Sequence, residues 1–204
     1  MYIVCSDLEG VLVPEVWMNV ARWTGIDELK LTTRDISDYT ALMTRRLKIL
    51  KQHGITIRDI QKVISLLELM PGALDFVEWL HGRTQMIVVS DTFREFADPL
   101  LQKMGWPVLF CHHLTIDSEG NITDFNLRQN DAKKMVVLKM QELSYKVIAI
   151  GDSYNDISML RQAEVGILYK PPQNVIDDNK DIRVVTSFLQ LKHIIAETIE
   201  SEYK

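Results

Sequence analysis

Short, uniformly apolar runs alternate with longer amphipathic stretches along this chain, and that alternation leaves few folds open to it. Tyr2 to Ser6, Gln85 to Val89, Lys146 to Ile150 and Val165 to Tyr169 are too short and too evenly apolar for surface helices, so they read as strands buried on both faces. Between them, residues 72–83, 92–104, 131–143 and 153–163 carry apolar side chains at helical spacing. Strands and helices in this alternation predict an α/β fold, a Rossmann-like parallel sheet with helices on both faces. At 204 residues the chain has room for one such domain carrying a small insertion.

Two segments depart from the alternation. Ser118-Glu119-Gly120-Asn121 lies between the alternating stretches Leu114 to Asp117 and Ile122 to Leu127, which predicts a β-hairpin addition. From Glu15 to Met70 no convincing strand occurs, only helix-period segments at 16–23, 39–53 and 57–67, the last with Thr56 and Asp59 as capping partners. The expected organisation is an all-helical cap over residues 15–70 and a core made of residues 1–14 and 71–204. A final helix is expected from Ser187, spaced to Gln190 as in a capping box, with Leu191, Ile194, Ile195 and Ile199 as its buried stripe.

A formal net charge of -5 argues against nucleic acid as a ligand, because neutralising many phosphates needs an excess of Lys and Arg. The two cysteines, Cys5 and Cys111, sit in or beside apolar runs and read as buried thiols of a reduced protein. The N-terminus lacks a basic region and turns acidic early, and no run approaches the ~20 apolar residues of a membrane helix. A cytoplasmic location is expected.

In an open parallel sheet, ligands bind beyond the carboxyl ends of the strands. After the first predicted strand come Asp7-Leu8-Glu9-Gly10, after the second Ser90-Asp91-Thr92, and after a later one Gly151-Asp152-Ser153-Tyr154-Asn155-Asp156. Carboxylates gathered at one sheet edge repel one another unless a cation sits among them, and a hard oxygen-liganded ion, Mg²⁺ above all, fits. Asp7 suits a nucleophile, since a carboxylate ionised near neutrality needs no base to attack phosphorus. Glu9, two residues on in an extended segment, can point the same way and carry a proton to and from the reacting oxygens. Gly10 lets the backbone turn where these groups converge.

Together these segments resemble the haloacid dehalogenase-like hydrolase superfamily. Asp7 to Leu12 is similar to its first motif, Ser90 to its second, a Lys early in a later helix to its third, and Gly151-Asp152 to Asp156 to its fourth. An insertion between the first two motifs resembles the small-cap subclass that contains phosphoserine phosphatase. Within it, Asp7 to Glu15, Ser90 to Phe93 and Gly151 to Asp156 look like the bacterial phosphoserine phosphatases that also transfer phosphate to homoserine. The resemblance implies Asp7 as nucleophile, Glu9 as acid and base, and Mg²⁺ held by Asp7, Asp152 and the Glu9 backbone carbonyl, with Asp156 supporting the ion from behind or through water. It also implies that Ser90 hydrogen-bonds the phosphoryl group and that Lys133 neutralises it, Lys134 being a solvated neighbour. Asp91, Thr92 and Asn155 fall among the expected substrate contacts.

This chain departs from the superfamily pattern at Glu9, where most phosphatases carry Asp, and at Asp91 and Thr92, where phosphoserine phosphatases usually carry small residues. On the helix predicted from Tyr39, Arg46 interrupts the stripe of Leu42, Met43, Leu47 and Leu50, and its match in the phosphoserine phosphatases binds the substrate carboxylate. Glu15 is the candidate for the substrate ammonium, although the family's Glu falls one position later, at Val16. Tyr39 and Met43 either close the pocket or are plain core. His112 and His113 show no zinc-like spacing and read as structural. The expected partners are small molecules, phosphoserine and homoserine as acceptor. Another small phosphomonoester stays open as substrate, as do a receiver-like signalling module, a non-catalytic relative and a homodimer.

Overall fold

The computed structural model describes residues 1–32, 35–36 and 38–202. The chain enters as β1 (Tyr2–Ser6), in which Ile3, Val4, Cys5 and Ser6 are all buried, so the strand is shielded on both faces. It lies at the centre of a seven-stranded sheet. On one side lie β2 (Gln85–Phe93), β3 (Val108–Ile116) and β4 (Ile122–Asn126); on the other lie β5 (Lys146–Gly151), β6 (Val165–Tyr169) and β7 (Arg183–Val185). Every pairing is parallel except β3 with β4.

Strand alternation divides the core in two. Val4, Val88, Ile148 and Ile150 face one layer, whose helices include α1 (Val16–Thr24), α2 (Tyr39–Gln52), α3 (Ile57–Ser65), α4 (Ala73–His81), α5 (Arg94–Lys103) and the C-terminal Phe188–Ser201. Ile3, Cys5, Ile87, Val89, Val147 and Ala149 face the other, against α6 (Ala132–Glu142), α7 (Ile157–Gln162) and α8 (Gln173–Asp178). The C-terminal helix is α9. Each fully buried aliphatic side chain contributes about 1.5–3 kcal/mol, so this two-sided burial is what holds the strands. No helix among the described residues is long and apolar enough to cross a membrane.

Between β1 and α4 the described residues form α1, a 3₁₀ turn at Asp27–Lys30, α2 and α3. The Met70 N–H donates to the Leu12 carbonyl at 2.9 Å, so this helical stretch leaves and rejoins the sheet at neighbouring points. Thr56 and Asp59 form the expected capping box on α3, and the Ser187 hydroxyl caps α9.

The structure corrects several boundaries. The second strand runs on to Phe93 instead of stopping at Val89, and the helix after it begins at Arg94. Thr92 and Phe93 are buried against the sheet, and that packing keeps the segment extended. The first arm of the hairpin is the end of a longer strand: Val108 to Phe110 pair with β2, while His113 to Ile116 pair with β4. β7 and α8 appear where no element was expected; both are short, with little periodicity to read.

Candidate active site

Register brings the site together. Ser6 lies opposite Val88 on one side and Ile150 on the other, so Asp7 leaves the sheet beside the ends of β2 and β5. Between the pairs Val89–Phe110 and Phe93–His112, β2 advances four residues while β3 advances two. The irregularity holds Ser90, Asp91 and Thr92, and a departure of this kind re-aims side chains at a strand end. After β5 come Asp152 and then the 3₁₀ turn Tyr154–Asp156 with Asp156, and the first turn of α6 supplies Lys133.

Asp7, Asp152 and Asp156 each offer an oxygen within 4.8 Å of the others. Lys133 is buried among them, its Nζ 2.7 Å from Asp156 Oδ1, 3.0 Å from Asp7 Oδ1 and 3.8 Å from Asp91 Oδ2. Asp156 is fully buried, and its second oxygen accepts the backbone N–H groups of Asp152 and Ser153 at 2.9 and 3.0 Å. Gly10 has φ +78°, and a Cβ there would meet Asp152 Oδ2 at 2.4 Å; glycine is what lets this carboxylate come so close.

The electrostatics record the crowding. Burial first, then the charge of Asp156, push the Asp7 carboxyl well above its ordinary value. Burial, Asp156 and Glu15 push Asp152 up to about 7. Burial opposes charge on Lys133, but Asp156, Asp7 and Asp91 outweigh it and hold the ammonium well above its ordinary range. One ammonium beside the buried Asp7 and Asp156 and the half-buried Asp152 leaves excess negative charge, which suits a small hard cation with oxygen ligands.

Glu9 lines the same cleft as Asp7 and Asp152, with other partners. Its Oε2 accepts the Val16 N–H at 2.8 Å at the start of α1, and Thr92 hydrogen-bonds the same carboxyl. Burial and the neighbouring Glu15 push it up to about 7, where it can hold or release a proton near neutrality. Arg46 is buried on α2, 4.5 Å from the Trp17 ring centroid, and donates to the Leu31 carbonyl at 2.7 Å. Its Nε has no hydrogen-bond partner among the described residues. Burial lowers its pKa to about 10, so it stays charged at neutral pH.

Asp7, Glu9, Glu15, Arg46, Ser90, Asp91, Thr92, Lys133, Asp152 and Asn155 thus line one cleft of about 440 Å³ with Tyr39 and Leu42. Asp156 lies behind its wall. Glu15 is exposed to the cleft while Val16 is packed in the core, and Lys134 lies outside the cleft lining. Tyr39 lines the cleft and donates its hydroxyl to the Asp91 carbonyl at 2.8 Å, whereas Met43 is wholly core. The Ser90 hydroxyl accepts the Thr92 N–H at 3.2 Å. His113 is exposed and lies 3.9 Å from Glu95.

His112 is the residue that sequence reasoning undervalued. It is buried, and its Nε2 lies 3.6 Å from Asp91 Oδ1. Asp91 Oδ2 accepts from Asn155 Nδ2 at 2.9 Å, so the two supposed substrate contacts bind each other. Burial disfavours charge on Asp91, yet Lys133, the His112 ring facing it and the hydrogen bond from Asn155 hold its carboxyl well below the usual carboxylate range. The only signal in the chain was a polar pair beside an apolar run.

The haloacid dehalogenase-like hydrolase family pattern matches residues 3–164. The chain is 50% identical over 192 residues to the phosphoserine phosphatase ThrH of Pseudomonas aeruginosa, covering 94% of each. It is 49% identical over 190 residues to a phosphoserine phosphatase of Pseudomonas syringae pv. tomato, covering 93% of this chain and 80% of that one. Among solved structures, a phospho-aspartyl intermediate analogue of a phosphoserine phosphatase superposes with a TM-score of 0.76 at 22% identity, covering 93% of this chain and 95% of the other.

Proposed function

This chain belongs to the haloacid dehalogenase-like hydrolases, and from that footing we propose that it is a Mg²⁺-dependent phosphoserine phosphatase that works through an aspartyl phosphate on Asp7 and also passes phosphate to homoserine. The observation that carries the reading is the Asp7 carboxylate 3.0 Å from a buried Lys133, in the cleft that also holds Arg46. Similarity to two phosphoserine phosphatases at about half identity supports the substrate.

In this reading Asp7, Asp152 and the Glu9 backbone carbonyl hold Mg²⁺ with Asp156 behind them, and the bound ion offsets the carboxylate charge and screens the phosphate from its attacker. Ser90 and Lys133 bind the phosphoryl oxygens. Arg46, its Nε without a hydrogen-bond partner among the described residues, takes the substrate carboxylate, and Glu15 takes the ammonium. An Asp7 oxygen attacks phosphorus; the bond to the serine oxygen breaks as Glu9 gives that oxygen its proton. Glu9 then takes a proton from water or from the homoserine hydroxyl, whose oxygen attacks phosphorus and frees Asp7. Asp91, Thr92 and Asn155 shape the wall beside the phosphate, and residues 15–70 act as a cap over a core of residues 1–14 and 71–204.

The test is phosphate release from phosphoserine with Mg²⁺, and phosphohomoserine formation when homoserine is added. Turnover that vanishes in Asp7→Asn with the fold retained supports the reading. Inactivity of the unaltered protein toward every phosphorylated amino acid refutes the substrate.

A further inference from the structure

His112 sits where β3 passes the irregular stretch of β2, and each ring nitrogen faces a polar group. Its Nδ1 accepts the Arg128 backbone N–H at 3.0 Å, which leaves the ring proton on Nε2. Nε2 faces Asp91 Oδ1 at 3.6 Å. The ring is flanked by Phe93 at 6.2 Å and Tyr39 at 6.3 Å between centroids, so it has little room to swing. Packing alone would be satisfied by an apolar ring at this place; the fixed tautomer and the carboxylate in front of it would not.

Asp91 belongs to the stretch of β2 that leaves the β3 register, so its side chain depends on other groups for its place. His112 faces one oxygen, while Asn155 donates to the other, which lies 3.8 Å from Lys133 Nζ. The Asp91–Asn155 contact also stands between the catalytic cleft and a second cleft of about 490 Å³ lined by His112, Leu127, Gln129 and Asn130. Lys133 is reached from both.

We propose that His112 is a positioning residue: its Nε2–H fixes the Asp91 carboxylate, and through Asp91 it sets where Lys133 and Asn155 stand in the catalytic cleft. Neither His112 nor Asp91 then needs to touch the substrate. The proposal rests on the phosphatase reading only through the role given to Lys133.

Long-range ¹⁵N–¹H spectra of the imidazoles test the tautomer without any assay: His112 is expected as the Nε2–H form, and an Nδ1–H form overturns the proposal. The kinetic test compares His112→Phe, which keeps an aromatic ring and removes the hydrogen bond from Arg128 and the polar contact with Asp91, with His112→Gln, whose amide can still donate to Asp91. The Phe variant is expected to lose about tenfold in kcat with KM for phosphoserine changed less than about twofold, as for a group that orders transition-state contacts. The Gln variant is expected to recover to within about threefold of the unaltered protein, and a Gln variant no better than Phe, or a rise in KM alone, overturns the role. If His112→Phe does not fold, His112→Ala with and without Asp91→Asn gives the same decision. The Ala change should cost about tenfold in kcat by itself and less than about twofold once Asp91 is altered, and independent effects refute the coupling. Should phosphoserine not be turned over, p-nitrophenyl phosphate serves as substrate, so failure of the substrate reading stays distinct from failure of the histidine role.

Discussion

Replacing Asp152 by Asn should stabilise the metal-free protein at pH 8 while removing its activity. Burial, Asp156 and Glu15 together raise the Asp152 carboxyl from 3.8 to about 7. A carboxyl whose folded pKa lies above its unfolded value ionises more readily in the unfolded chain, so stability falls as pH rises from 3.8 toward about 7 and stays lowered above it. A displacement from 3.8 to about 7, at about 1.36 kcal/mol per pH unit, amounts to about 4 kcal/mol. Relaxation and residual solvent around a partly exposed group reduce this to about 2 kcal/mol. In a chain of this size that corresponds to a melting temperature about 4–8 °C higher for Asp152→Asn. The assay is thermal unfolding followed by circular dichroism in EDTA. The gain should be full at pH 8, shrink below pH 7, and be gone near pH 4. Added Mg²⁺ should raise the melting temperature of the unaltered protein and leave the variant where it was. A variant no more stable than its parent at pH 8, or one whose gain is the same at pH 5 and pH 8, would refute the view of this cluster as carboxylates held together against their own repulsion.

Lys133→Met leaves Asp7 and Asp156 buried without their ammonium, and urea unfolding should show a loss of about 3 kcal/mol together with loss of phosphate release. Gly10→Ala forces a Cβ to within 2.4 Å of Asp152 Oδ2 and should cut phosphate release at least tenfold, whereas Gly54→Ala, with φ +61° and nothing within 4 Å, should cost only about 1–2 kcal/mol of stability and keep its activity. Glu9→Gln cannot exchange a proton, so steady-state turnover of phosphoserine should fall about 10²–10⁴-fold. The pre-steady-state burst with p-nitrophenyl phosphate, whose leaving group needs no proton, should survive in that variant. Loss of the burst would separate Glu9 from proton transfer.

The strand-and-helix alternation, the acidic residues at strand ends and the capping box at Thr56 were legible in the chain because each depends on neighbours within a few residues. Periodicity reads burial directly, and Asp7, Ser90 and Asp152 follow apolar runs whatever the fold does later. The same one-dimensional view ended the second strand at Val89 and placed a helix at Thr92, because nothing local reveals that β3 continues to pair beyond the irregularity. Arg46 was visible as a cation on an apolar stripe; its half-satisfied guanidinium was not.

The chain by itself determined which side chains could gather at the sheet edge. Tertiary structure decided how they divide: Asp156 behind the cleft wall with Lys133 paired to it and to Asp7, Glu9 turned to Thr92 and α1, Asp91 between Asn155 and His112. That division depends on cross-strand register and on the direction a carboxylate takes when several cations and donors compete for it. Both are set by residues far apart in sequence, so neither leaves a pattern that spacing along the chain can carry.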